Sequence, residues 1–419
     1  MKRIFQEEFI EVQDGTLTKL LGIATLLVTM YAMRKEGEQE VLHLWCKHKA
    51  DVAICPRCGA LSETIHDEQP RCVRHLDVWG KRTFLHFLSR RFDCEQCRRS
   101  FTEELAFVDT NRRQTRAFEQ EIYKSCIGSN KKKVAKDKDL SQSSVRDIFN
   151  RWAREQQRPM GSGELTRVLG IDEISLKKRH QQFALVISDI ERRCLVAVLP
   201  DRDKESLERW LDSLSDSQRK AIRFVSIDMW VPYRLAVSNK LARATVVVDR
   251  FHVMKQLNMR LTQLRSNIQR NANPEVQATL KGSRWILVRN RCDLKENEQA
   301  QLNKILDLCP QLRTLYLLKE EFRAIFEKVH CRDKARKFLA AWVLKAQYTG
   351  NKFLKKFVTT VNNWREEILN YFIERITNGF VEGLNGALRN IIRTAFGYRN
   401  FVNFRLRLFA QYSFPTNPR

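Results

Sequence analysis

The chain has 419 residues and carries 75 lysines and arginines against 49 acidic residues, a formal net charge of +26 with a pI near 9.8. That length suits two to four domains with real cores. The positive surplus is the electrostatic footprint of a partner made of phosphates, nucleic acid first and an anionic membrane surface as the rival.

Residues 1–50 are read as an N-terminal segment. Its apolar run "LLGIATLLVTMYAM", residues 20–33, is too short and too broken by Gly and Thr to span a bilayer of about 30 Å. It also lacks the layout of a secretory signal. The run is expected to be core, no membrane is expected as a partner, and a cytoplasmic location follows. The eleven cysteines are then thiols or metal ligands and not a disulfide framework.

Residues 51–104 open with "CPRCG" and close with "FDCEQCRRSF". The two C-x2-C knuckles, Cys55 with Cys58 and Cys94 with Cys97, supply the four thiolates of one closed structural Zn²⁺ site. A small β-hairpin over "KRTFLHFLSRRF" is expected to fill the interval. Cys72 or His75 in "RCVRH" is the alternative for one ligand.

Residues 105–160 read as three short helices, the last over "LSQSSVRDIFNRWAREQ". Val145, Ile148, Phe149 and Trp152 recur at i, i+3, i+4 and i+7, an apolar stripe. Arg146, Asn150 and Arg151 fall off that stripe, and the Ser-rich start offers N-caps. The pattern fits a DNA-binding helix-turn-helix whose last helix enters a major groove.

From residue 164 the pattern turns to strands: three strands, a helix, a strand, a helix and a further strand, an α/β class with mixed pairing. Residues 253–370 then read as almost wholly helical, too long for a loop. A helical insertion over 261–365 is expected between a first core part, 164–260, and a second, 366–414.

Asp172 in "LGIDEI" and Asp228 in "SIDMW" each follow a strand's apolar run. Ligands of open α/β sheets collect outside the carboxyl ends of strands, so two such aspartates on neighbouring parallel strands face one site. A single strand-terminal Asp can equally cap a helix or turn. Near the C-terminus, at 100° per residue, Asn378, Asn385, Arg389 and Arg393 fall within about 60° of Glu382, opposite an apolar face that includes Leu384, Leu388 and Ile391. Three converging carboxylates are how Mg²⁺ is held beside a substrate phosphate. Two such ions can activate one oxygen and stabilise the leaving one at phosphorus.

These pieces, in this order, resemble the ISL3 family of insertion-sequence transposases. The ribbon, the helical triplet, "GIDE", "SIDMWVPY", "VVVDRFHVMKQLN" and "TNGFVEGLNGALRNIIRTAFGYRNFVNFRLRL" carry the likeness over nearly the whole chain. The resemblance implies a ribonuclease-H-like core with Asp172, Asp228 and Glu382 as its DDE triad, and two Mg²⁺ (or Mn²⁺) ions per active site. It implies binding of terminal inverted repeats in double-stranded DNA, cleavage at the element's ends, attack of the freed 3′-hydroxyl on target DNA, and a homodimer on paired ends in a bacterial, nucleoid-associated setting. Asp249 and His252 in "DRFH" match a family motif; they assist the metals or DNA, or else cap and pack the next helix. Trp285 and Trp342 are expected in the core, with stacking on an unpaired base as the alternative. Two rival functions share these parts: a non-catalytic zinc and helix-turn-helix regulator, and a structure-specific nuclease with a ribonuclease-H-like core.

Overall fold

Residues 26–48 are rich in apolar side chains, as strands packed into a core require. A computed structural model of the protein describes residues 9–12, 15–156, 166–177, 182–395, 398 and 400–413. It divides into two compact units, Met1–Gln156 and Gln157–Arg419. Among the described residues no helix is long and apolar enough to cross a membrane.

The first unit begins with β1 (Ile10–Glu11), α1 (Thr16–Leu21), β2 (Leu26–Glu36) and β3 (Gln39–His48). A short hairpin, β4 (Ala53–Ile54) and β5 (Leu61–Ser62), precedes β6 (Ile65–Val78), β7 (Lys81–Cys94) and β8 (Arg99–Thr102). The main sheet has the order β1-β2-β3-β7-β6, with β8 also on β7. Strands β3 and β7 run parallel, so residues 26–48 share one sheet with the cysteine-bearing segment. Leu26, Val28, Leu42, Leu44, Val73, Leu85 and Phe87 form its core, as expected for the apolar run.

The stretch expected to fold as a small hairpin is instead the single strand β7, paired along its length with β6. Trp79 and Gly80, which join them, have φ of 49° and 76°. Two left-handed residues make the tight turn whose twist matches a hairpin.

Three helices complete this unit: α2 (Arg116–Gly128), α3 (Lys131–Asp137) and α4 (Gln142–Gln156). Thr115, Asn130 and Ser141 accept from backbone amides of their first turns. Val145, Ile148, Phe149 and Trp152 are all buried, so the apolar stripe was read correctly.

The second unit holds β9 (Val168–Lys177), β10 (Gln182–Asp189), β11 (Cys194–Leu199), α5 (Lys204–Asp212), α6 (Asp216–Ala221), β12 (Phe224–Ile227), α7 (Val231–Lys240) and β13 (Thr245–Val248). The sheet order is β11-β10-β9-β12-β13. Strand β10 is antiparallel to both neighbours, and β12 is parallel to β9 and β13. This is the mixed, ribonuclease-H-like sheet expected.

Both faces are covered. On β10, Leu185 and Ile187 enter one core, while Ala184 and Val186 enter the other. The long α8 (Arg250–Asn271) leads into α9 (Pro274–Leu280), α10 (Arg284–Val288), α11 (Glu296–Leu308), α12 (Pro310–Lys328), α13 (Arg332–Tyr348), α14 (Lys352–Asn363) and α15 (Arg365–Glu374). Their apolar faces join the first of these cores in one continuous cluster from Val168 to Ile376. Helices α16 (Gly379–Thr394) and α17 (Phe401–Tyr412) cover the other face, with Leu384, Leu388, Ile391, Phe404 and Leu408 against it.

Candidate active site

Strand register assembles the acids. Gly170 of β9 pairs with Ser226 of β12, and Ile227 of β12 pairs with Val248 of β13. Continuing both parallel registers sets Asp172, Asp228 and Asp249 in one row across three adjacent strands, at the carboxyl ends of β12 and β13. Asp172 lies inside β9, because β9 runs on to pair with β10 after its parallel neighbour has stopped.

Helix α16 brings Glu382 in its first turn. The helix is pressed close to the sheet at Gly170, where an added Cβ would lie 2.6 Å from Val381 Cγ2. A glycine two residues before Asp172 is therefore part of what lets the glutamate approach.

The side chains interlock. Asn385 Nδ2 donates to Asp172 Oδ2 at 2.6 Å, and the Glu173 amide donates to Asp172 Oδ1 at 2.7 Å. His252 Nδ1 lies 2.9 Å from Asp228 Oδ1 and 3.5 Å from Asp249 Oδ2. Asp249 occupies the N-cap position of α8 but makes no side-chain capping bond; its Oδ1 accepts from the Asn378 amide at 3.5 Å. Asp249, His252 and Glu382 each offer a ligand atom within 4.8 Å of the others.

The electrostatics follow from packing four carboxylates together. Burial, then the charge of Asp228, pushes the Asp172 carboxyl up to about 6. Burial, then Asp249, also raises Glu382. Burial opposes the charged form of His252, but Asp228 and Asp249 outweigh it and lift the imidazole to about 10. Among the described residues, the buried Glu382 Oε1 meets no hydrogen-bond donor. Clustered hard oxygen donors with lone pairs to spare fit a divalent cation.

Glu173 is a further brace that the sequence reading missed. Its two carboxylate oxygens accept from the Tyr233 hydroxyl at 2.8 Å and from Arg202 Nη1 at 3.1 Å, tying β9 beside Asp172 to α7. The acidic pair in "GIDE" was the only local signal for it.

Asn378 and Asn385 were expected to face DNA, but each is only 1% exposed. The first half of α16 lies on the sheet, so both amides turn inward, where Asn385 orients Asp172. Arg389 and Arg393, further along, are exposed.

In the first unit the sulfur atoms of Cys55, Cys58, Cys94 and Cys97 all lie within 4.8 Å of one another, Cys58 and Cys94 at 3.6 Å. A tetrahedral zinc with bonds of about 2.3 Å sets its sulfurs about 3.8 Å apart, so the cluster fits a structural zinc. Neither alternative ligand replaces a cysteine: Cys72 lies beside His86, and His75 Nδ1 is 2.9 Å from Thr115 Oγ1.

Comparison with known proteins finds three family matches along the chain. A family described as "Transposase", of the ISL3 type, matches residues 169–408. The chain belongs to the ISL3 transposase family. The zinc finger of transposases IS204/IS1001/IS1096/IS1165 matches residues 51–97, and the helix-turn-helix domain of transposase family ISL3 matches residues 103–153. The transposase for insertion sequence element IS1001 of Bordetella parapertussis is 28% identical over 389 residues, 92% of this chain and 94% of that protein. The transposase for insertion sequence element IS1557 of Mycobacterium tuberculosis (strain CDC 1551 / Oshkosh) is 27% identical over 312 residues, 68% of this chain and 69% of its own. This ISL3 transposase is thus a DNA-binding, DNA-processing protein.

On its helix-turn-helix, Arg146 is exposed beside Asp147, and Asn150 Oδ1 accepts from Lys131 at 3.3 Å. Arg151 departs from the expectation that it faces DNA. Its guanidinium turns inward to Asp109 and Glu119, because the buried Glu119 needs a cation. Lys132, Lys133 and Lys136 of α3 are exposed, a basic surface not anticipated from the sequence. Trp342 is buried and donates to the Leu318 carbonyl at 2.8 Å, as expected. Trp285, expected in the core, is instead 62% exposed, with Arg284 over its ring at 4.9 Å.

Proposed function

We propose that this ISL3-family protein is a DDE transposase that binds the terminal inverted repeats of its element, cuts DNA at their tips and joins the freed ends to a target. The observation that carries the reading is the row of Asp172, Asp228 and Asp249 on adjacent parallel strands with Glu382 brought over it by α16. On this reading Asp172, Asp228 and Glu382 hold two Mg²⁺ or Mn²⁺ ions, and Asp249 and His252 support them.

Bound there, the ions supply Lewis acidity and a template for in-line displacement at phosphorus. The chain's own residues do the rest. Asn385 and the Glu173 amide fix the Asp172 carboxylate. His252 lies between Asp228 and Asp249, and its charge steadies both carboxylates. Arg389 and Arg393 offer exposed charge to the DNA backbone from the same helix as Glu382.

Segments 51–104 and 105–160 supply end recognition, with Arg146 and Asn150 directed at DNA. Segments 164–260 and 366–414 form the catalytic core around the 261–365 helices. A two-ended substrate calls for a homodimer, acting on the nucleoid in the cytoplasm.

The test is incubation of the protein with DNA carrying its element's ends in Mg²⁺ or Mn²⁺, beside Glu382→Gln. Nicking at the repeat tips that is lost in the variant, with DNA binding retained, is expected. Binding without cleavage in both proteins favours the regulator. Cutting directed to junctions and not to the repeat tips favours the nuclease.

A further inference from the structure

The face of α8 that carries His252 continues past it. Lys255 lies three residues on, one helical turn, on the same side. That side is opposite the buried Val253, Leu257, Leu261 and Leu264. Lys255 is exposed, and its charge bears on Glu382. Among the described residues its side chain takes part in no hydrogen bond or ion pair, although Glu382 is close enough to feel its charge. The three aspartates are held from within: Asp172 by Asn385, Asp228 and Asp249 by His252.

A free ammonium at the mouth of an acidic site answers a physical need. A phosphodiester must approach carboxylates that repel it, and a lysine offers a flexible point charge with three donors for a phosphate. We propose that Lys255 binds a backbone phosphate flanking the scissile bond, holding the strand against Glu382. This rests on the reading of Asp172, Asp228 and Glu382 as the active site.

Lys255→Gln and Lys255→Arg are compared with wild type in end-DNA binding, by anisotropy in Ca²⁺ at several salt concentrations, and in nicking with Mn²⁺. Thermal melts of all three confirm that they fold alike. The glutamine variant is expected to shallow the slope of log affinity against log salt by about one and to lower kcat/KM about tenfold; arginine retains most of both. A single methylphosphonate at the contacted phosphate should cost wild type the same factor and the glutamine variant nothing more. An unchanged slope, or losses that multiply at every methylphosphonate position, overturns the assignment. If wild type binds but never cuts, the catalytic reading fails on its own, while salt slope and methylphosphonate binding still decide Lys255.

Discussion

Alanine at Gly170 tests how the glutamate helix is seated. The new Cβ would lie 2.6 Å from Val381 Cγ2, 3.0 Å from Ser188 Oγ and 3.1 Å from Ile190 Cγ1. Val381 is fully buried, so its methyl has no solvent to swing into and α16 must shift. Overpacking of this kind costs about 1–3 kcal/mol. At about 2–4 °C per kcal/mol for a domain of 150–250 residues, the melting midpoint should fall by roughly 2–12 °C. On the proposed function, cleavage should fall further, because a displacement of about 1 Å between catalytic groups can cost about a hundredfold. Val381→Ala removes the obstructing methyl, so the double variant should recover about 0.5–3 kcal/mol relative to the sum of the two. Melts and nicking assays on the four proteins decide it. A Gly170→Ala protein that melts with wild type, or two losses that simply add, would refute the close seating of α16 on β9.

Replacing Cys55 and Cys58 by Ser should release about one zinc per chain, read by atomic spectrometry on the purified protein; unchanged metal content would remove the ribbon assignment. Burial holds the His75 imidazole down at about 4, against an ordinary 6.5. The unfolded chain then binds the proton more readily between those values. Stability is therefore full above about pH 6.5 and declines as pH falls toward 4, by about 3 kcal/mol. His75→Gln, which can still bond Thr115, should flatten that decline in urea unfolding at pH 7.5 and 4.5; parallel curves would count against it.

Local pattern made some of the site legible and hid the rest. The strand runs before Asp172 and Asp228 could be read directly, and a parallel sheet forces such positions into one row. Helical spacing placed Glu382 on the polar face of α16, but spacing does not say where the sheet lies beneath the helix. Asn378 and Asn385 were therefore assigned to DNA when they are buried. Arg151 failed for a related reason: its partners, Asp109 and Glu119, are far away in sequence and near only after folding. The parallel pairing of β3 with β7 is likewise a long-range choice that no alternation along either strand announces. Trp285 shows the converse, a large apolar residue whose five-residue helix leaves it exposed.

The strands that carry the three aspartates are finished by Val248, whereas the helix that carries the glutamate starts only at Gly379. At about 5–20 residues per second on the ribosome, the aspartates exist for roughly 7 to 27 s before Glu382 is made. On the proposed reading, a chain cut short anywhere in the intervening helices keeps the zinc knuckles, the helical triplet and three aspartates, and lacks its glutamate. On that reading, order of synthesis leaves an emerging polypeptide without its full triad until Glu382 is made.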